Sequence, residues 1–321
     1  MTPTTETGLS FERTVPCALA HRRALGEVFV ADTAPADIDG FLAAIQIPRA
    51  HSLYFDRLVD YHDPLSTVEA IRQAMIVVGH RYLNVPPGTP ASLQQLEFEV
   101  EDLSAYRDDS NVPLEGIVRA SAGLAGTFGD SAGTFFEAQL AIGGVRALTL
   151  RGGGIQFPAD TYREIRELQQ AGRPMNGESG SVTVEPVAPA SVGRRDPRNV
   201  VVGQPIPGEQ QRIPLIVDQR HPSFFDHPYD HVPGPLLIEG CRQAAIVAAV
   251  AAGALDSPIA AVTGCATTFT GFAELGGLID FTVAADSDPD TGGAAVELEL
   301  HQFGARIARC RIELAPYPAT A

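Results

Sequence analysis

Apolar and polar positions alternate with a period of two over much of the chain, and the period changes in two places. Leu96-Glu-Phe-Glu-Val100 alternates strictly, which puts one face of a strand in a core and the other in water. Comparable runs predict strands at 113–120 and in a hairpin over 134–151 that breaks at Gly143-Gly144. In the second half the same pattern predicts strands near 261–272, 278–284, 295–301 and 305–314, with a hairpin loop at 286–293. Weaker strand-like runs lie at 21–30, 40–48, 199–203 and 212–220. Between these the pattern predicts two long helices. One starts near Asp63-Pro64, where either a Ser66-x-x-Glu69 capping box or proline at the first helical position opens it, and it runs to about residue 83. The other starts at the Pro-Gly turn before Pro235 and reaches about residue 253; after Gln243 it reads Ala-Ala-Ile-Val-Ala-Ala-Val-Ala-Ala. A helix apolar on every side belongs in a core or a membrane, and with Glu239 and Arg242 excluded this one is too short to span. A polar amphipathic helix is predicted at 160–171, followed by a Gly- and Pro-containing linker.

The two helices belong to two copies of one motif. His51, Phe55, Asp56, Asp60, Glu69, Arg72 and Gln73 match His221, Phe225, Asp226, Asp230, Glu239, Arg242 and Gln243, every pair 170 residues apart (239 − 69 = 170). Seven such identities at one offset indicate a tandem duplication of a whole domain. Each half reads as a strand or two, one long buried helix, and an antiparallel meander. That order predicts an α+β fold, a tandem double hot-dog in which each sheet wraps one apolar helix. The expected domains are 1–172, including the trailing helix, and 191–321, joined by a linker over 173–190. They pack as the subunits of a hot-dog dimer do, as a monomeric pseudo-dimer or within a homodimer.

Composition narrows the function. The chain of 321 residues carries 23 basic side chains, all arginine, against 39 acidic ones, for a net charge of −16. This argues against a nucleic-acid binder and against docking on an anionic membrane. Four cysteines without metal spacing suit a reduced, cytoplasmic protein, and the N-terminus shows no signal-peptide pattern. No phosphate loop, Gly-x-Ser-x-Gly elbow or metal-ligand spacing is present, so neither metal nor cofactor is expected.

The candidate chemistry clusters at the helix entrances. Glu239, Arg242 and Gln243 share one face of their helix, as do Glu69, Arg72 and Gln73. Each glutamate is either a partner of its own arginine or a general base, its pKa raised by burial and lowered by arginine. The arginines Arg72 and Arg242 are either ion-paired or free to grip a phosphate or carboxylate. Gln73 and Gln243 read as core hydrogen-bonders. His227 and His231 each follow an aspartate, Asp226 and Asp230; adjacent residues rarely contact productively, so partners are expected across the interface between the halves. His62 is a weaker counterpart, and His51 and His221 read as structural. The backbone amides near Gly234 offer a site for a thioester carbonyl.

The run Phe225-Asp-His-Pro-Tyr-Asp-His-Val-Pro-Gly-Pro-Leu-Leu-Ile-Glu-Gly-Cys-Arg-Gln-Ala244 resembles the signature of the A-factor biosynthesis hot-dog proteins, the γ-butyrolactone synthases of streptomycetes. Val192-Gly-Arg-Arg-Asp-Pro-Arg-Asn-Val200, Arg49-Ala-His-Ser-Leu-Tyr-Phe55 and Glu69-Ala-Ile-Arg-Gln73 are similar to that family as well. The resemblance implies transfer of a β-ketoacyl group from acyl carrier protein to the hydroxyl of dihydroxyacetone phosphate. The ester then closes by aldol condensation to a phosphorylated butenolide. On that view Glu239, His227, His231 and Glu69 are catalytic. Substrate is held by Arg242, Arg72, Gln243, Gln73, Asp226, Asp230, Gly234 and His62. Two unequal sites are expected, one pairing the 226–231 loop with Glu69 and one pairing the 56–62 loop with Glu239. A patch of Arg194, Arg195 and Arg198 would meet the acidic carrier. A dehydratase or thioesterase acting on the same thioester, and a non-catalytic acyl-binding scaffold, are the alternatives. The chain departs from the family pattern at Pro235, where methionine is common, and at Gly240-Cys241, where Ala-Ala is.

Overall fold

The computed structural model describes residues 8–36, 40–108, 111–128, 130–171, 173, 184–206, 208–209, 212–288 and 292–318. The chain divides into two compact units: 1–55 with 60–161, and 56–59 with 162–321.

In the first unit the elements are β1 (Val30–Pro35), β2 (Gly40–Ile47), α1 (Pro64–Tyr82), β3 (Ala91–Val100), β4 (Leu114–Phe128), β5 (Ser131–Ile142) and β6 (Val145–Gln156). Its strands pair antiparallel in the order β1-β2-β4-β5-β6-β3. Gly143 and Gly144, at φ 57° and 83°, make the two-residue turn between β5 and β6, a conformation that favours glycine at both places. The long helix α1 packs on β1 and β2 and buries Leu65, Val68, Ala70, Ile71, Ala74, Val77 and Val78.

A further helix, α2 (Ala159–Gln170), begins in the first unit and from Tyr162 belongs to the second. The second unit continues with β7 (Arg212–Pro214), α3 (Gly234–Ala251), β8 (Ala260–Phe269), β9 (Ile279–Asp288), β10 (Gly293–Gln302) and β11 (Ala305–Pro316). The antiparallel order is β8-β11-β10-β9-β7. Alternation decides the faces: Val296, Leu298 and Leu300 of β10, with Cys310, Ile312 and Leu314 of β11, point inward. Glu297 and Glu299 stand opposite Arg311 and Arg309 on the outer face and pair with them. By length and composition α3 could cross a membrane, but 72% of it is buried inside the fold as the core helix of this sheet. Each unit is thus a sheet around one helix, and the chain is the expected double hot-dog.

Two local expectations are corrected, and the choice between two openings for α1 is decided. Residues 21–30 form no strand before Val30; a 3-10 turn, Cys17–Ala20, precedes the stretch, His21 is left-handed at φ 51°, and a second 3-10 turn, Leu25–Glu27, lies within it. In the second half, 199–203 and 212–220 reduce to isolated bridges (Val202 with Leu215, Pro186 with Gly203) and the three residues of β7. Pro205 and Pro214 lack the donor that a longer ladder needs. The capping box does not form. Asp63 caps α1 by accepting from Leu65 N at 3.0 Å, with Pro64 at the first helical position, because the glutamate is drawn inward to arginines. The predicted linker lies largely outside the described residues; Pro189–Val192 within it is a 3-10 turn.

Candidate active site

The two motif helices build the same buried network twice. In the second unit Glu239 Oε1 accepts from Arg194 Nη2 (2.9 Å), Arg242 Nη2 (2.6 Å) and Gln243 Nε2 (2.5 Å), and Oε2 accepts from Arg242 Nε (3.0 Å). Gln243 also donates to Asn199 O and accepts from Val201 N. In the first unit Glu69 accepts from Arg22, from Arg72 Nε and Nη2 (2.7 and 2.8 Å), and from Gln73 Nε2 (2.9 Å). Gln73 completes the copy with Glu27 O and Phe29 N. His51 and His221 each accept two backbone N–H groups at Nδ1 and present Nε2 to Glu27 and Asn199, so both are structural pins, as expected.

These networks change the chemistry open to the glutamates. Burial by itself would raise each carboxyl, but the charges of Arg194 and Arg242 reverse that for Glu239. Those of Arg72 and Arg22 do so for Glu69, and hydrogen bonds from the helix arginine and glutamine assist in both, so that each pKa falls to about 2. A carboxylate so weakly basic, with its oxygens already accepting, is a poor proton acceptor. Against the expectation of Glu239 and Glu69 as bases stands this pairing, in which each carboxylate is the counter-charge of two arginines. The same bonds engage Arg72 and Arg242 through Nε and Nη2. Arg242 is enclosed at 7% side-chain exposure, whereas Arg72, at 28%, is partly exposed. Gln73 and Gln243 are fully buried and bridge each glutamate to the backbone.

The His loop is arranged differently from expectation. His227 Nδ1 bonds Asp226 Oδ1, and His231 Nδ1 bonds Asp230 Oδ1, both at 2.6 Å. Each aspartate thus serves its own neighbour, because a charge-assisted bond between adjacent residues requires ordering no further chain. With Nδ1 donating, the Nε2 of a neutral imidazole carries a lone pair and can accept a proton. The dyads are unequal. The Asp226 side chain is 1% exposed beneath a His227 at 23%, while Asp230 is 49% exposed beside a His231 at 24%. His227 also lies against the Tyr229 ring at 4.1 Å.

At the entrance of α3, Leu236 N and Leu237 N both donate to Pro233 O, so the amide site expected near Gly234 narrows to the Gly234 N–H. No side chain caps this terminus, in contrast to Asp63 on α1. His62 lies in the first unit. It is buried, its N–H donates to Tyr106 O, and its ring faces Asp108 at 3.8 Å. Gly240 sits deep rather than at the helix entrance: a Cβ there would come within 2.6 Å of Leu215 Cδ1 and 2.8 Å of Phe281 Cζ.

Asp56 of the first motif lies in the second unit and accepts from Arg195 N, Asp196 N and Asn199 Nδ2. Arg194 links it to the glutamate network by donating from Nη1 to Asp56 O at 2.9 Å. The arginine patch proposed for a carrier protein is therefore corrected: Arg194 is buried on Glu239, Arg198 is held by Asp196, and Arg195 is exposed. Sequence reasoning missed Arg22 and Arg194 as partners of the glutamates. Their signal was the Arg-Arg pair at 22–23 and 194–195, offset by 172 rather than 170 (194 − 22 = 172) and so hidden from an ungapped alignment. It also missed the contacts of α2 with the His loop, which no local pattern announces.

Comparison with known proteins agrees with this architecture. The A-factor biosynthesis hotdog domain family matches residues 4–126 and 177–317. A 2-oxo-3-(phosphooxy)propyl 3-oxoalkanoate synthase of Streptomyces virginiae is 34% identical over 234 residues, 72% of this chain and 76% of that protein. A synthase of the same name from Streptomyces coelicolor is 28% identical over 300 residues, 91% of this chain and 89% of its own length. Among solved structures, a Novosphingobium aromaticivorans protein described as a thioesterase aligns over 88% of this chain and 98% of its own, with a TM-score of 0.51 and 13% identity, a likeness of fold. With both halves matched and the duplicated network in place, the chain belongs to the A-factor biosynthesis hot-dog family.

Proposed function

We propose that the protein transfers a β-ketoacyl group from acyl carrier protein to the hydroxyl of dihydroxyacetone phosphate. The observation that carries the mechanistic part is the Asp226–His227 dyad, a buried carboxylate orienting a partly exposed imidazole. His227 Nε2 takes the hydroxyl proton as the oxygen attacks the thioester carbonyl carbon. The C–S bond then breaks, and the same proton passes to the departing thiolate, so the ester and the free carrier thiol balance the step. The Gly234 N–H, at a helix start with no side-chain cap, is the donor for the carbonyl oxygen as negative charge develops there. His231 is the second proton carrier, suited to the enolisation that precedes ring closure.

The test is mass spectrometry of protein incubated with a β-ketoacyl carrier protein, with and without dihydroxyacetone phosphate. A phosphorylated ester or butenolide that requires the acceptor supports transfer; free acid regardless of acceptor overturns it in favour of a thioesterase. His227→Gln should lower kcat by about 10²–10⁴-fold, the usual contribution of a positioned acid–base group. Glu239→Gln, by contrast, should lose activity only in proportion to the fraction unfolded.

A further inference from the structure

The Asp230–His231 dyad is tied into the fold by residues from outside both motifs. Tyr162 Oη donates to Asp230 Oδ2 at 2.9 Å and Arg166 Nε donates to the same oxygen at 3.1 Å, leaving Oδ1 for His231 Nδ1 at 2.6 Å. Arg166 Nη2 also holds the Asp230 carbonyl oxygen at 2.9 Å, so side chain and backbone are gripped together. Arg166 is itself immobilised: it forks onto the fully buried Glu274 through Nη1 and Nη2, each 2.7 Å, and Gln170 and Arg173 reach the same carboxylate. Glu274 is anchored to β10, its N–H donating to Gln302 Oε1 and its carbonyl accepting from Gln302 Nε2. The Phe272 ring closes the arrangement. The Arg166 guanidinium lies 4.7 Å from its centroid, Tyr162 meets it edge-on at 5.8 Å, and the His231 ring packs at 4.8 Å.

On the reading that the loop histidines move the protons, we propose that Tyr162 and Arg166 are positioning residues that fix Asp230 and, through it, the His231 imidazole. The need for them follows from exposure. Asp226 is held by burial, whereas Asp230 is half exposed and would otherwise rotate away from Nδ1. The His231 ring meets Asp230 and Phe272; Tyr162 and Arg166 stand behind Asp230, and Glu274 and Arg173 behind Arg166. Burial acts to raise the Asp230 carboxyl, but His231, Tyr162 and Arg166 hold it well below the usual carboxylate range, so it remains an anion throughout the working pH. A carboxylate that keeps its charge and one fixed oxygen stabilises a single tautomer and a single orientation of the ring.

Tyr162→Phe deletes one hydroxyl from a half-buried ring and leaves the Arg166–Glu274 fork in place, so the variant should fold. The direct readout is NMR of histidine-labelled protein without substrate, with the His231 signal among the eight histidines assigned by comparison with His231→Gln. With Asp230 less firmly held against Nδ1, the His231 ring should lose its single Nδ1–H tautomer, and its two ring-nitrogen resonances should move toward the averaged values of a ring exchanging between both tautomers. In the acyl-transfer assay kcat should fall by about tenfold at unchanged KM, the signature of a misplaced group and not of lost binding. A Tyr162→Phe protein whose His231 ring keeps the single Nδ1–H tautomer of the wild type overturns the proposal. Because the NMR measurement needs no substrate, absence of acyl transfer in the wild type would sink the proposed reaction while leaving the clamp separately tested.

Discussion

Glu239 and Glu69 show how a residue's surroundings select among its chemistries. A carboxylate in an apolar helix must be paired, and here each faces two guanidinium groups and a buried glutamine amide. Removing the charge strands two buried arginines. Glu239→Gln should therefore cost about 3–5 kcal/mol in chemical denaturation, with Glu69→Gln close behind it. The pH dependence has a definite sign. Both carboxyls stand at about 2 in the folded protein against an ordinary 4.5, so their contribution is complete above pH 4.5 and is lost as the pH falls toward 2. Each shift corresponds to about 3 kcal/mol, and an acid-unfolding curve should show Glu239→Gln losing part of that dependence. A wild-type protein whose stability is flat between pH 5 and 2 would contradict the pairing.

At the scale of elements, the two helices differ in ways their common origin does not require. Asp63 caps α1, whereas Pro233 offers α3 no side-chain acceptor. Asp63→Ala should thus cost about 1 kcal/mol, measured by thermal denaturation, while Pro233→Asp should add a cap to α3 and depress transfer by putting negative charge where the carbonyl oxygen binds. Gly240 marks a second difference. It faces Leu215 and Phe281 at distances no Cβ tolerates, while its counterpart Ala70 is accommodated on α1. Gly240→Ala should destabilise by about 1–3 kcal/mol through overpacking, and a Gly240→Ala, Phe281→Leu pair should recover part of that loss.

The whole molecule carries a net charge of −16, and its arginines are largely committed to internal or surface pairs. An acidic carrier protein would therefore approach against long-range repulsion. Raising ionic strength should increase kcat/KM for carrier-bound substrate and leave that for a small uncharged thioester mimic unchanged, the reverse of a basic-patch enzyme. A rate that falls with salt would reveal a local basic docking site after all.

Much of this was legible in the residues themselves. Periodicity placed both core helices and most of the antiparallel strands, since a side chain's direction follows from its position along a strand or helix. The 170-residue offset exposed the duplication, and the Phe225–Ala244 run pointed to the family. The chain could not say by itself who partners whom. Arg194 reaches Glu239 across 45 residues, Arg166 reaches Glu274 across 108, and Asp56 settles in the second unit, all contacts without a sequence period. Those contacts decide protonation, because a carboxyl's pKa is set by charges within a few ångströms and by burial, not by its neighbours in the chain. Sequence alone thus determined the fold and the inventory of reactive groups; tertiary structure decided that each glutamate is paired with two arginines and that each loop histidine is oriented by its own aspartate.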